Sequence, residues 1–237
     1  MHIRFQLSLI AFQHNSMFQR KSTLVNLSLT SLLITAFTFS LPAQSDDDWK
    51  LKSEKSGVKV YYRKPSDIYE LKLATSIKVP LSGIVRLFDE VDKYPSWGYK
   101  VSEARLLKRV SPTEMYYYSK IDFPWPMSDR DLVLHTTLEQ NAHNNAVTST
   151  SVAVSGWVPE KKDVVRIKKA NTKWTMIPGE GGWLYVEYYL NSDPGGSIPD
   201  WAINLALDMG PRETVKQMKV ILKESTYQNT KLAHIKE

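Results

Sequence analysis

Three stretches of this chain gather side chains able to recognise a ligand. In Phe123-Pro124-Trp125-Pro126-Met127-Ser128-Asp129-Arg130-Asp131, a stiff apolar corner runs into an acid–Arg–acid cluster. Val164-Val165-Arg166-Ile167 sets a lone Arg in an apolar run, and Asn191-Ser192-Asp193-Pro194-Gly195-Gly196-Ser197-Ile198-Pro199-Asp200-Trp201-Ala202-Ile203-Asn204 is a glycine turn opening a helix. Arg130 between two acids reads first as an ion pair that fixes the corner, ahead of ligand contact. A buried Arg166 would need a carboxylate or a ligand oxygen to offset its lost hydration. Catalytic signatures are missing: the sequence has no Gly-x-Ser-x-Gly, no Walker loop and no His-Glu-x-x-His. Gly179-Glu180-Gly181-Gly182 reads as a hairpin turn, His135 as a satisfied surface histidine, and Asp46-Asp47-Asp48 as a solvated tail. No metal, cofactor or catalytic residue is expected.

These residues need elements to hold them. Short alternating runs bounded by Gly, Pro and Asn predict an antiparallel sheet. The strands fall at 49–54, 58–63, 69–79, 103–110, 115–123, 132–140, 146–154, 164–169, 172–177 and 183–191. Between the third and fourth, Ser82 is a candidate N-cap for a helix over 83–91, ended by Tyr94-Pro95-Ser96-Trp97-Gly98. A last helix starts near Ser197, with Ser197 and Asp200 at capping-box spacing and Pro211 as a kink. Its stripe is Ile198, Trp201, Ala202, Leu205 and Met209, resuming at Val215, Met218, Ile221 and Leu222. Lys216, Lys219 and Lys223 lie on the other side, a solvated face rather than a lid for anionic heads. The fold class is α+β. A long amphipathic helix over a curved sheet encloses a space able to hold an apolar ligand.

Composition excludes several functions. The 237 residues are 42% hydrophobic with no cysteine, so a disulfide scaffold, thiolate metal site and Cys nucleophile are all ruled out. Residues 1–45 carry Arg4, Arg20 and Lys21 but no acid, and an apolar run from Leu24 to Leu41 ends in Leu41-Pro42-Ala43-Gln44-Ser45. They read as a secretory signal peptide, with the true start at Met1 or Met17. Without those three, the 31 basic residues become 28 against 25 acidic, and the formal +6 falls to +3. Nucleic acid is not an expected partner. Export to a periplasm or outside the cell is expected, with one domain over 46–225 and a tail over 226–237.

In its Pro-Trp-Pro-Met-Ser-Asp-Arg-Asp at 124–131 and Asp-Pro-Gly-Gly-Ser-Ile-Pro-Asp-Trp-Ala-Ile-Asn at 193–204, the chain resembles the StAR-related lipid-transfer (START) domains. It resembles in particular their phosphatidylcholine-transfer-like branch, in a bacterial form. The resemblance spans Trp49 to Lys223 and implies a helix-grip fold: a curved antiparallel sheet around a long C-terminal helix, with one lipid in a tunnel between them. It also implies where a phosphocholine head would sit, and the residues there depart from the branch. The charged phosphate positions read Tyr94 and Gly98, and the aromatic choline positions read Ser119, Leu132 and Ala170. The Arg of the sterol-carrying branch, six residues after Arg130, is Thr136.

Ser, Leu and Ala cannot supply ring faces to an ammonium. The expected ligand is therefore a lipid or sterol-like molecule with little or no ionised head. Candidate tunnel residues are Tyr94, Trp97, Tyr117, Ser119, Arg130, Leu132, Arg166, Trp174, Tyr189, Trp201, Leu205 and Met209. The expected function is non-catalytic binding and transfer, gated by the C-terminal helix, by a monomer in transient membrane contact. The alternatives are a helix-grip enzyme using Tyr117 or Asp122, and a ligand-dependent sensor.

Overall fold

The computed structural model describes residues 49–65 and 69–237. The leader and Asp46-Asp47-Asp48 lie outside them. Ten strands form one sheet: β1 (Lys50–Lys55), β2 (Val58–Arg63), β3 (Glu70–Lys78), β4 (Val101–Ser111), β5 (Glu114–Ile121), β6 (Asp129–Gln140), β7 (Val147–Ala153), β8 (Val164–Arg166), β9 (Lys169–Pro178) and β10 (Trp183–Asp193). Their order is β1-β2-β3-β10-β9-β7-β6-β5-β4. Neighbours are antiparallel except β8, which pairs in parallel with the start of β6. The run read as one strand over 164–169 is thus divided, because its first part leaves β9 for β6.

Alternation sorts each strand onto two faces. Val58, Val60, Leu71, Leu73, Leu184 and Val186 point inward and are fully or almost fully buried. Lys59, Lys72 and Glu187 lie on the other side, around a groove of about 350 Å³.

On the inner face α1 (Leu81–Asp89) is followed by a 3-10 turn (Val91–Lys93) and α2 (Tyr94–Trp97). The apolar residues of α1 fall on one side, and Leu81, Ile84, Val85, Leu87 and Phe88 are buried. Its N-cap is Pro80, with no side-chain cap, so Ser82 does not play that part. Instead the Glu237 carboxylate accepts hydrogen bonds from the Leu81 and Ser82 amides at 2.7 and 3.0 Å, and Ser82 Oγ accepts one from the Leu232 amide. An acid at a helix N-terminus also meets the positive end of the helix dipole. Residues 225–237, including α4 (Ser225–Gln228), therefore pack on α1, with Tyr227 and Ile235 buried. Gly83 makes this packing possible, since a Cβ there would overlap the Tyr227 carbonyl oxygen.

The last helix, α3, runs unbroken from Asp200 to Ile221 with Pro211 inside it. Pro199 is its N-cap, so Ser197 does not hold that position. Positive φ angles at Gly195 and Gly196 (68° and 67°) turn the chain just before it, leaving Ser197 in the approach. Its inward stripe is Ala202, Leu207, Pro211, Val215 and Met218, with Ile203 partly buried. Leu207, Val215 and Ile203 sit on Val58, Val60, Leu71 and Leu73 of β2 and β3, whereas Met218 joins the core around α1. Trp201 and Met209 are 51% and 38% exposed, which corrects the stripe read from the sequence. The Leu205 side chain lies outside the described residues.

Candidate functional site

The inner face of β5, β6, β7, β9 and β10, together with α1 and α2, gathers the aromatic candidates. Gly98 caps α2 and donates its amide to the Tyr94 carbonyl at 2.7 Å. A Cβ on Gly98 would lie 2.7 Å from Val101 Cγ2, so the glycine lets α2 press against β4. Tyr94 and Trp97 are thereby brought inside, at 9% and 7% exposure.

The Tyr94 ring meets Trp97 edge-on at 4.8 Å and Tyr117 at 5.3 Å. Phe88 lies 6.1 Å from Trp97 and 5.4 Å from Trp174, and Trp174 lies 4.3 Å from Tyr188. Four phenyl or phenol rings and two indoles thus form a continuous wall. Trp174 packs against both apolar cores of the domain. Tyr94, Trp97, Tyr117 and Trp174 are brought together as the sequence suggests. Ser119 and Leu132, directly paired between β5 and β6, are buried on the same inner face.

Polar atoms of this wall are uncharged. Thr136 and Ser151 share a 2.7 Å hydrogen bond, Ser149 is buried two residues from Ser151 along β7, and Ser119 is buried further along β5. Burial pushes the Tyr117 hydroxyl up to about 12, with hydrogen bonds to Ser151 and Thr136 opposing the rise. Burial likewise raises Tyr94 and Tyr188. All three phenols hold their protons at neutral pH and act as hydrogen-bonding hydroxyls. Tyr94 Oη donates to the Phe88 carbonyl at 2.6 Å. Trp97 Nε1 is buried without any partner, at a cost of about 1–3 kcal/mol by the usual measure for such a group. Between α1 and β4–β7 lies a void of about 10 Å³, room for one water, bordered by Phe88, Met115, Thr136, Leu138 and Ser149, with Asp89, Arg109 and Glu114 at its edge.

Arg130 lies at the end of this face where two loops meet, and is 3% exposed. Its ion pair with the flanking acids is not formed. Asp129 turns to Lys120 at 2.7 Å, and the hydrogen bond from that ammonium, ahead of other causes, holds its carboxyl below the usual range. Asp131 points to the other face. Arg130 donates instead to the carbonyls of Ser128, Pro194 and Gly195, and its guanidinium covers the Phe123 ring at 4.3 Å. Burial pulls its pKa down, with Asp129 opposing. It ties the 123–128 loop to the turn that leads into α3.

Two candidates belong elsewhere. Arg166 sits on the outer face, where Nε and Nη2 reach Asp131 at 2.6 and 3.1 Å and the remaining bonds go to the Val158 and Pro159 carbonyls. It is removed from the tunnel set, because β8 pairs with β6 and places it beside Asp131 rather than inward. Tyr189 is also outward, 6.3 Å from Trp49 in an edge contact. Its neighbour Tyr188 is the inner residue. Sequence alternation from Leu184 and Val186 carries that signal, since Tyr188 keeps their parity and Tyr189 does not.

Asp122, the alternative acid, pairs with Lys120 at 3.4 Å on the side away from Tyr117. His135 stacks on Tyr116 at 4.3 Å and bonds Glu114 at 2.8 Å. Among the described residues no group of His, Asp and Glu could hold a metal ion, and no helix is long and apolar enough to cross a membrane.

A curved sheet gripping a long C-terminal helix, with an aromatic and hydroxyl-lined inner face, is the helix-grip class. The chain belongs to the START domain family, which it matches over residues 35–227. It is 33% identical over 175 residues to an uncharacterised protein of Pseudomonas aeruginosa, covering 73% of this chain and 86% of that one. With the mouse phosphatidylcholine transfer protein it shares 28% over 184 residues, 75% of this chain and 85% of the other. The crystal structure of a STAR-related lipid transfer protein from Xanthomonas axonopodis superposes with a TM-score of 0.68 at 32% identity, over 74% of this chain and 99% of that one.

Proposed function

We propose that this protein is a non-catalytic carrier that binds and transfers one lipid or other hydrophobic molecule with little or no ionised head. The observation that carries this reading is the inner wall of a START chain: buried Tyr, Ser and Thr hydroxyls among rings, with the Arg109 guanidinium at its edge already paired with Asp89 at 3.3 Å. An ionised head brought among these groups would lose hydration without a partner. A hydrocarbon chain gains about 0.8 kcal/mol per buried CH₂, so tails alone supply substantial affinity. Tyr117, with a raised pKa and no acid beside it, supports hydrogen bonding better than acid catalysis.

Loading requires the inner wall to open, and the gate we propose is α3 with the 123–128 loop. Trp125 on that loop is 90% exposed and Trp201 in the first turn of α3 is 51% exposed. Indole rings of this kind settle at a membrane–water interface. Replacing both by Ser is expected to slow transfer between vesicles several-fold while leaving thermal stability unchanged. We propose that the leader read over residues 1–45 exports the protein to a periplasm or outside the cell, which N-terminal sequencing of the mature product would check.

Organic extraction and mass spectrometry of the purified protein test the central reading. One neutral or weakly polar lipid per chain is expected. Stoichiometric recovery of a phosphocholine lipid overturns the head-group assignment, and absence of both bound lipid and vesicle transfer overturns the carrier reading itself.

A further inference from the structure

We infer that the indole N–H of Trp97 is the hydrogen-bond donor to the ligand, and that the ligand presents to it an uncharged oxygen: an ester or ketone carbonyl, an ether or a hydroxyl. The inference rests on the carrier reading and adds the chemistry at one end of the ligand. Trp97 is 7% exposed and its Nε1 has no partner. Buried donors are paired in the great majority of native structures, so this one calls for an acceptor.

The neighbouring polar groups do not supply it. Tyr94 Oη donates to the Phe88 carbonyl at 2.6 Å and lies outside hydrogen-bond reach of Trp97 Nε1. The Tyr117 hydroxyl is engaged with Ser151 and Thr136. An indole N–H can only donate, which excludes an ammonium or any other pure donor as its partner. The ring wall around it, Phe88, Tyr94, Tyr117 and Trp174, is uncharged, and Arg109 beyond Phe88 is already paired with Asp89 at 3.3 Å, so a phosphate or carboxylate placed there would be buried without a free counter-ion. What remains is a neutral acceptor attached to an apolar body.

Gly98 shows that the placement is built into the chain. The close approach it allows, with Val101 Cγ2 within 2.7 Å of where a Cβ would be, seats α2 against β4, and the Phe88 and Tyr94 rings hold the indole at 6.1 and 4.8 Å. The donor is therefore preorganised rather than free to turn toward another partner.

The test uses the purified protein with indole nitrogens labelled, in which seven tryptophan signals are expected and Trp97→Phe identifies one. The probes are dioleoylglycerol, which carries ester and hydroxyl oxygens, and octadecane, which carries none. The Trp97 signal is expected to move downfield with dioleoylglycerol and to stay there only while that lipid is bound, with no such shift for octadecane. Trp97→Phe, which keeps an aromatic ring and removes the N–H, is expected to weaken dioleoylglycerol binding about 5- to 10-fold, the worth of one hydrogen bond, and to leave octadecane binding within about twofold.

An unmoved indole signal in dioleoylglycerol-loaded protein overturns the inference, as does an equal loss of both ligands, which would make Trp97 a packing residue. If the unaltered protein takes up neither probe, nor any extracted lipid, the carrier reading fails and this one with it. Uptake of dioleoylglycerol with an unmoved signal refutes the donor alone.

Discussion

The two faces of β6 treat charge in opposite ways within two adjacent residues. Asp131, on the outer face, is 1% exposed at its side chain and is met by Arg166 in a two-point ion pair, with Tyr118 Oη donating a third bond at 3.1 Å. Charge is buried there but neutralised on the spot, and its pairing holds the 154–163 segment down through the Val158 and Pro159 carbonyls. Arg130, one residue earlier and on the inner face, has only carbonyl dipoles and a ring face. The outer cluster is a staple, all of whose partners lie in rigid sheet or its cover. The inner one is a latch whose partners are two loops. Beyond the latch, the inner face carries hydroxyls and rings where the outer carries ion pairs. A surface meant to receive a neutral ligand has to be cleared of charge, and alternation along the strand does this residue by residue.

The largest effect expected from this contrast is at the staple. Arg166→Met leaves Asp131 as a buried carboxylate with one hydroxyl donor, and should cost about 3–5 kcal/mol in urea unfolding. Arg166→Met combined with Asp131→Leu should recover much of that loss, since replacing both members of a buried pair is far less costly than breaking it. If the double variant is as unstable as the single, the pair is not the staple described.

Arg130→Met should be milder and different in kind. It removes a donor from three carbonyls but leaves no unpaired charge, for an expected loss of about 1–3 kcal/mol. Hydrogen exchange should rise in residues 123–128 and 193–199 while the amides of β5 and β9 keep their protection, and vesicle transfer should quicken. A loss as large and as global as at Arg166 would make the two arginines equivalent and dissolve the distinction.

The contrast was only half visible in the sequence. Ten alternating runs, the late amphipathic helix and the two START-like motifs place the fold and most of the inner wall. Local pattern could not tell which acid Arg130 or Arg166 would meet, because that depends on β8 crossing to pair with β6, a contact between residues 35 apart along the chain at Asp131 and Arg166. The stripe of α3 departs from its sequence pattern for a similar reason: Trp201 and Met209 fit an apolar period, yet the surface offered by β2 and β3 selects Leu207 and Val215. The Glu237 cap on α1 is equally non-local, joining residues 156 apart. Tyr188 is the exception. Its parity with Leu184 and Val186 was on the page, and two adjacent tyrosines obscured it.

The smallest predicted effect concerns the hydroxyls that replace charge on the inner face. Tyr117 ionises at about 12 in the folded protein, against about 10 for an exposed tyrosine in the unfolded chain. Between those values the unfolded state has lost a proton that the folded state keeps. The contribution of this hydroxyl to stability is thus complete below pH 10 and declines as pH rises toward 12. The slope is about 1.4 kcal/mol per pH unit for each such group. Tyr94 and Tyr188, shifted in the same direction, steepen it.

Tyr117→Phe should cost about 1 kcal/mol at neutral pH for the lost hydrogen bonds, yet flatten the alkaline loss by one group's worth. Tyrosinate absorbance followed beside circular dichroism would show these phenols titrating only as the structure unfolds. If Tyr117→Phe leaves the slope unchanged, the hydroxyl is reached by water in the folded state, and the inner face is not the dry, uncharged wall on which a neutral ligand depends.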